Sequence, residues 1–169
     1  LIIMGTTGAT GMRDVLLGSV AAGVMGKSPT PVLVIPKKST YTPMRNVVMA
    51  TDMNMRISDA SKEMLHKWLK LNKSQLHMVH ILDKPGEHTD KNREKILIEK
   101  LGVTPKDFHY LHDRDVPQAI SVFMESLDAQ ALVSVARDHS LLHRLFFDSV
   151  TRKLAHRVRT PMLVLHEHA

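Results

Sequence analysis

The residues in this chain best suited to chemistry are glycines. Gly5-Thr6-Thr7-Gly8 follows the apolar run Leu1-Ile2-Ile3-Met4, and nine residues then separate Gly8 from Gly18-Ser19-Val20. A chain leaving a buried strand must turn sharply there. Glycine tolerates φ > 0 and carries no side chain, so the turn leaves backbone N–H groups open to a ligand. Gly18-Ser19 stands near a helix start, where free N–H groups and the macrodipole favour an anion. The Ser19 hydroxyl adds a donor for a phosphate oxygen. Two clusters so spaced are suited to close around one polyphosphate. The plainer alternative is a tight strand–helix turn, with Gly18 and Gly23 set by close helix packing. The loop is not a Walker A loop, because Lys27 does not follow Gly-x-x-x-x-Gly.

The elements that must position this loop repeat. Residues 1–4 form an apolar run, 15–25 an apolar helix, and Ser28-Pro29-Thr30-Pro31 leads into Val32–Ile35. The same grammar returns as the apolar run 131–135, a polar loop, the stretch 145–158, Arg159-Thr160-Pro161 and the run from Met162 to Leu165. An offset of 130 residues superposes the two without a gap, setting Ser19-Val20 on Ser149-Val150, Thr30-Pro31 on Thr160-Pro161, and Leu33-Val34 on Leu163-Val164. The six identities in 36 positions all fall in matching elements, and the repeat unit is domain-sized.

Between the copies, apolar runs predict strands at 46–51, 75–82 and 107–113. Ser58 opens a helix with Ala60, Met64, Leu65, Trp68, Leu69 and Leu71 at helical spacing. Lys84-Pro85-Gly86 is a break. A helix over 89–101 puts Ile96, Leu97 and Leu101 on one face and stops at Gly102, and another over 116–127 carries Pro117 in its first turn. This alternation predicts an α/β fold: a doubly wound parallel five-stranded sheet with helices on both faces over 45–169. A β-α-β remnant of an equivalent domain precedes it over 1–38, joined by the linker 39–44. In such sheets ligands bind outside the carboxyl ends of the strands. Because Leu1 to Met4 reads as the middle of a buried strand, the sequence reads as the C-terminal portion of a longer chain.

Composition narrows the function. With 43% apolar and 24% charged residues among 169, disorder, collagen and coiled coil are poor fits. No apolar run approaches the length of a membrane span, and the first residues lack a basic leader and a signal-peptide core. The absence of cysteine excludes disulfides and Cys-ligated zinc and fits a reducing cytoplasm. A formal charge of +6 would suit polyanions. One Trp, two Tyr and four Phe offer little base stacking, however, and no Lys/Arg block exceeds two residues, so nucleic acid is disfavoured.

The glycine pattern, set between Ile2-Ile3-Met4 and Ser28-Pro29-Thr30-Pro31-Val32-Leu33-Val34-Ile35, resembles the ATP-binding signature of the universal stress protein family. Val47-Val48-Met49-Ala50-Thr51-Asp52, the strand around His80, and Thr160-Pro161-Met162-Leu163-Val164 resemble the family in the second copy. The resemblance implies a tandem pair with a truncated first domain, and ATP, with Mg2+ carried on its phosphates, as the ligand. It assigns Met4, Gly5, Gly8, Gly18, Ser19 and Val20 to the phosphate and ribose site. Asp52 and Ile81 hold the places that would reach ribose and adenine, but in the second domain. That domain's own loop departs from the pattern: Val135 and Asp138 replace two glycines and Asp148 replaces Gly18. Carboxylates there would repel phosphates, so the second domain is not expected to bind ATP. The resemblance also implies pairing through the last strands, Val32–Ile35 with the run from Met162 to Leu165.

The remaining candidates are weaker. Eleven histidines invite a metal, but His77 and His80, like His109 and His112, fall on opposite strand faces; His166 and His168 could share a face at a frayed terminus. Asp138-His139-Ser140 has triad letters without a nucleophile elbow. Asp113-Arg114-Asp115 reads as a solvated turn, and Met25, Met49, Met64 and Met124 read as packing. Arg137, His143, Arg144, Arg152, Lys153, Arg157 and Arg159 make a basic last quarter, read as a solvated helix face. Expected is a nucleotide-sensing regulator without a convincing hydrolytic site. The alternatives are a dimerisation or interaction module that binds no nucleotide, or an enzyme of the nucleotide-binding α/β group such as an adenylyl-transferring ligase.

Overall fold

The computed structural model describes residues 1–6, 18–37, 39–83, 86–136 and 160–167. The expected helix over 145–158 and the first part of that over 15–25 lie outside them. Strands form where short apolar runs sit between breakers: β1 (Ile2–Gly5), β2 (Val32–Ile35), β3 (Asn46–Thr51), β4 (Gln75–Leu82), β5 (Phe108–His112), β6 (Ala131–Ala136) and β7 (Met162–His166). Helices α1 (Ser19–Lys27), α2 (Asp59–Asn72), α3 (Lys91–Leu101) and α4 (Val116–Ser126) lie between them. A 3-10 turn at Pro105–Asp107, absent from the sequence reading, leads into β5.

Caps fix the helix limits. The Ser58 side chain accepts the Ser61 N–H, Asp90 accepts those of Asn92 and Arg93, and Asp115 accepts that of Gln118. At the other ends Lys73 and Gly102 adopt left-handed conformations (φ 53° and 66°) that return N–H groups to the last turn. The cap at Asp90 moves the start of α3 two residues past the expected boundary. Two expected core residues are exposed instead. Leu71 and Ile96 each sit one step off the i, i+4 lines that end at Asn72 and run through Leu97–Leu101, so about 100° of helix turn carries them into solvent. Ala60 is exposed as well.

Among the described residues the strands make one sheet in the order β1-β2-β7-β6-β3-β4-β5. Every neighbouring pair is parallel except β2–β7, which is antiparallel. The expected five parallel strands are thus one part of a seven-stranded sheet. The β2–β7 register is Val32↔Val164, Leu33↔Leu163 and Val34↔Met162. Leu33 and Leu163 are the residues that the offset of 130 superposes, so the backbone pairing has a local two-fold centre between them. Both strands are flanked on both sides, so this pairing is internal to the chain and neither is an edge.

Alternation along the strands sends side chains to two cores. One, under α2 and α3, gathers Leu33, Val47, Met49, Leu65, Trp68, Leu97 and Leu163. The other, under α1 and α4, gathers Met25, Val32, Val34, Val48, Ile120, Phe123 and Val164. Each core crosses the β2–β7 seam. Met25, Met49 and Met124 are buried and Met64 packs against the first core, in keeping with their reading as packing residues.

Gly23 does not serve close helix packing: a Cβ placed there meets nothing within 4 Å. Glycine inside a helix costs about 0.5–1 kcal/mol relative to alanine. Gly23→Ala is therefore expected to stabilise the chain by about that amount, read as a higher urea midpoint; a lower midpoint would reveal a contact that requires the bare backbone.

Candidate functional site

The glycine clusters meet through the backbone. Gly5 ends β1 opposite Ile35, and half-buried Met4 lies opposite Val34. The Thr6 N–H donates to the Ile35 carbonyl at 3.2 Å, and the Thr6 carbonyl accepts the Gly18 N–H at 2.7 Å. That second bond clamps the end of β1 to the mouth of α1. Gly8 lies outside the described residues.

Gly18 is the N-cap of α1 with φ −67° and ψ 154°, backbone that any residue adopts. Conformational freedom therefore does not explain glycine at this position. Among the described residues no side chain caps α1 and no acid lies in its first turn, whereas α2, α3 and α4 are all side-chain capped. Ser19 and Val20 are exposed at this mouth, beside N–H groups that point out of the helix.

The second set of expected residues lies elsewhere. Asp52 follows β3, its Oδ1 accepting the Asn54 N–H at 3.0 Å, with Met53 between them at φ 67°. Thr51 pairs with His80, so Asp52 and Ile81 continue side by side at the carboxyl ends of β3 and β4. Ile81 is buried in the core under α1 and α4. His80 Nδ1 is 2.8 Å from the Thr51 carbonyl, which only accepts, so this nitrogen carries the proton. Asp83, Glu87 and Glu167 make the same end acidic: Glu87 accepts the Asp83 N–H and Glu167 that of Arg56. Val135, at the place of Gly5, is buried in the core under α2 and α3 and closes the space a glycine leaves open. Asp138 and Asp148 lie outside the described residues.

The structure does not join the two sets. Strands β2, β7 and β6 separate β1 from β3, four strand spacings or about 19 Å. Because β2 and β7 run antiparallel, the carboxyl ends of β1 and β3 also point to opposite ends of the sheet.

With this geometry in view, comparison with known proteins is decisive for the family. The universal stress protein family model matches residues 1–36 and 58–166. The chain belongs to the universal stress protein family. Over 37 residues it is 57% identical to universal stress protein MJ0531 of Methanocaldococcus jannaschii, a match covering 22% of each chain. A universal stress protein structure from Archaeoglobus fulgidus superposes with a TM-score of 0.63 at 23% identity, covering 98% of this chain and 60% of that one. A putative universal stress protein from Pseudomonas aeruginosa gives 0.62 at 18% identity, covering 98% and 62%. The chain thus spans less than two thirds of the length of these solved relatives, with which it shares the α/β fold.

In this family member the histidines pair across strands rather than along them. The His77 and His109 rings lie 5.7 Å apart, and His109 packs 4.9 Å from the Phe123 ring. His80 faces Tyr110 instead, at 5.9 Å. His77 Nδ1 is 3.8 Å from Asp107 Oδ1, and Asp107 also accepts from Gln75 and Thr104. Burial pushes the Asp107 carboxyl up, but Thr104, Gln75, His77 and Lys106 together outweigh it and hold the group below its ordinary value. Burial, then the His77 charge, pushes His109 down, with Asp107 opposing in part. Burial and the bond to Glu94 push the Tyr110 hydroxyl up.

Among the described residues no group of three or more His, Asp or Glu is placed to hold a metal ion, and no helix is long and apolar enough to cross a membrane. His166 is buried rather than frayed, and His168 lies outside the described residues. Asp113-Arg114-Asp115 is exposed, and Asp115 serves as the α4 cap. The letters Asp138-His139-Ser140 and the basic positions from Arg137 to Arg159 also fall outside the described residues. Sequence reasoning missed the Asp107 cluster, for which the Thr104-Pro105 turn signal was the available clue.

The His109 shift has a defined pH signature. The unfolded imidazole gains a proton near its ordinary value of about 6.5, while the folded one resists until lower pH. The unfolded state therefore binds more protons in that interval, and stability falls as pH drops below about 6.5. Urea unfolding at about pH 7.5 and about pH 5.5 is expected to show this loss in the wild type and a smaller one in His109→Phe. Equal losses would place the acid sensitivity elsewhere.

Proposed function

We propose that this chain is a nucleotide-binding regulatory protein of the stress response, made of a first unit over 1–38 and a second over 45–169. The first unit holds ATP through Met4, Gly5, Gly8, Gly18, Ser19 and Val20, with Mg2+ arriving on the phosphates. The single observation that carries the reading is the 2.7 Å bond from the Gly18 N–H to the Thr6 carbonyl, which sets Gly5 and Gly18 together at a helix mouth that no described side chain caps. The second unit, where Val135, Asp138 and Asp148 replace glycines, acts as a structural partner, and Asp52 and Ile81 bind no nucleotide phosphate there. Nucleotide at the mouth of α1 biases the pairing of the two units, because α1 packs beside the seam. Any ATP hydrolysis is slow, and the Cys-free composition fits a cytoplasmic setting.

A second reading, an interaction module without nucleotide, draws on one observation. Leu1, Ile2 and Ile3 are 51%, 38% and 66% exposed on the open edge of the sheet, while Ala131, Leu132 and Val133, their repeat equivalents beside β3, are 0%, 2% and 0% exposed. Isothermal titration with Mg-ATP separates the readings when run on the wild type, Gly18→Asp and the Gly8→Asp, Gly18→Asp double variant. Aspartate in place of glycine at an N-cap stabilises a helix by only about a few tenths of a kcal/mol, so thermal stability is expected to hold. Nucleotide affinity is expected to fall at least about tenfold as the new carboxylate faces the phosphates. Unchanged affinity would remove the site from this loop, and no binding by any of the three would favour the interaction module.

A further inference from the structure

The carboxyl end of α1 carries a defect written into the sequence. The last four carbonyls of a helix have no donors further along it unless the following residues supply them. The Ser28 N–H serves the Val24 carbonyl at 3.0 Å. The next donor in line, four residues after Met25, would belong to residue 29, which is proline and has no N–H. Met25 is fully buried, so water offers its carbonyl little help.

The missing donor comes from 141 residues away. His166 Nε2 lies 2.9 Å from the Met25 carbonyl, a contact that spans the β2–β7 seam from the end of β7 to α1. A carbonyl only accepts, so Nε2 is the protonated nitrogen of this ring. The other nitrogen, Nδ1, is buried with no hydrogen-bond partner among the described residues. A 6% exposed imidazole with one nitrogen unbonded among the described residues is costly to keep for packing alone. The His166 backbone is held too, its carbonyl accepting the Ser61 hydroxyl of α2 at 3.3 Å. This residue therefore ties α1 on one face of the sheet to α2 on the other. The offset of 130 sets Pro36 on His166 and Arg159 on Pro29, so neither the defect nor its remedy recurs in the other copy.

We propose that His166 is a positioning residue that caps α1 across the seam and so fixes the helix whose first residues, Gly18 and Ser19, form the phosphate-facing mouth. The capping role stands on the geometry alone; the effect on ligand rests on the nucleotide reading above.

The test uses the full 169-residue chain with His166→Ala, His166→Gln and, should the alanine variant fail to fold, His166→Met, which fills the space without donating. Two quantities are read: hydrogen exchange of the α1 amides and the Kd for Mg-ATP. Loss of the donor is expected to speed exchange in the last turn of α1 by about fivefold, the factor that one ordinary net hydrogen bond commands, and to weaken Mg-ATP by a similar factor. His166→Gln, which retains an amide N–H of similar reach, is expected to restore both. Pro29→Ala returns an N–H to position 29, and in that background removing His166 should change exchange less than about twofold. Unchanged α1 exchange in the donor-less variant, or a folded His166→Gln as impaired as that variant, would overturn the capping role. Altered exchange with an unaltered Kd would overturn the link to the ligand. If the wild type binds no Mg-ATP, the nucleotide reading falls while the exchange data still decide the cap.

Discussion

Three backbone-paired positions, Val32↔Val164, Leu33↔Leu163 and Val34↔Met162, hold the rest of the molecule in place. They join a two-stranded parallel unit to a five-stranded one by the only antiparallel pairing among the described strands. Leu163 and Val164 are fully buried, and Leu33 and Val34 nearly so, with side chains alternating into the two cores. Both cores run through the seam, so separating the units would expose apolar surface on both faces at once. A four-residue pair such as β1–β2 is too small to stand alone and depends on that continuity.

The same seam decides which residues can share a ligand. Antiparallel pairing about a local two-fold turns the carboxyl ends of β1 and β2 away from those of β3, β4, β6 and β7. Ligand crevices lie at carboxyl ends. The antiparallel seam thus gives two separate strand ends rather than one shared cleft, and the ends differ in character. At one, Gly5 and Gly18 carry no side chain and Ser19 and Val20 are exposed; at the other, Val135 is buried at the loop position and Asp52, Asp83, Glu87 and Glu167 gather carboxylates.

Much of the fold was legible because buried parallel strands are short, continuous apolar runs. Asn46–Thr51 and Gln75–Leu82 could be bounded to the residue, since Arg45, Asp52, Ser74 and Asp83 flank them with polar groups. Helix faces were less legible. Leu71 and Ile96 are apolar and close to the helical period, yet one residue is 100° of rotation, and only the packed neighbour decides which side of the stripe is buried. The glycine loop was visible as letters and spacing. Its closure through Thr6, the Asp107 cluster and the His166 contact were not, because each depends on backbone positions brought together by the sheet. The Met25 carbonyl could have been flagged from Pro29 alone, but nothing local points to a donor 141 residues on.

Gly18 differs from the other helix caps. Its backbone is ordinary, with φ −67°, and a serine or aspartate there would cap α1 as Ser58, Asp90 and Asp115 cap the other helices. The chain forgoes that stabilisation at this helix, while the repeat equivalent of the same position is aspartate, Asp148. Three of the four described helices are thus capped by a side chain, and at the fourth the N-cap is a glycine whose backbone angles do not require one. Among the described residues no side chain covers that helix mouth. The Thr6 carbonyl ties this helix mouth to the end of β1, and free N–H groups at a helix start favour an anion.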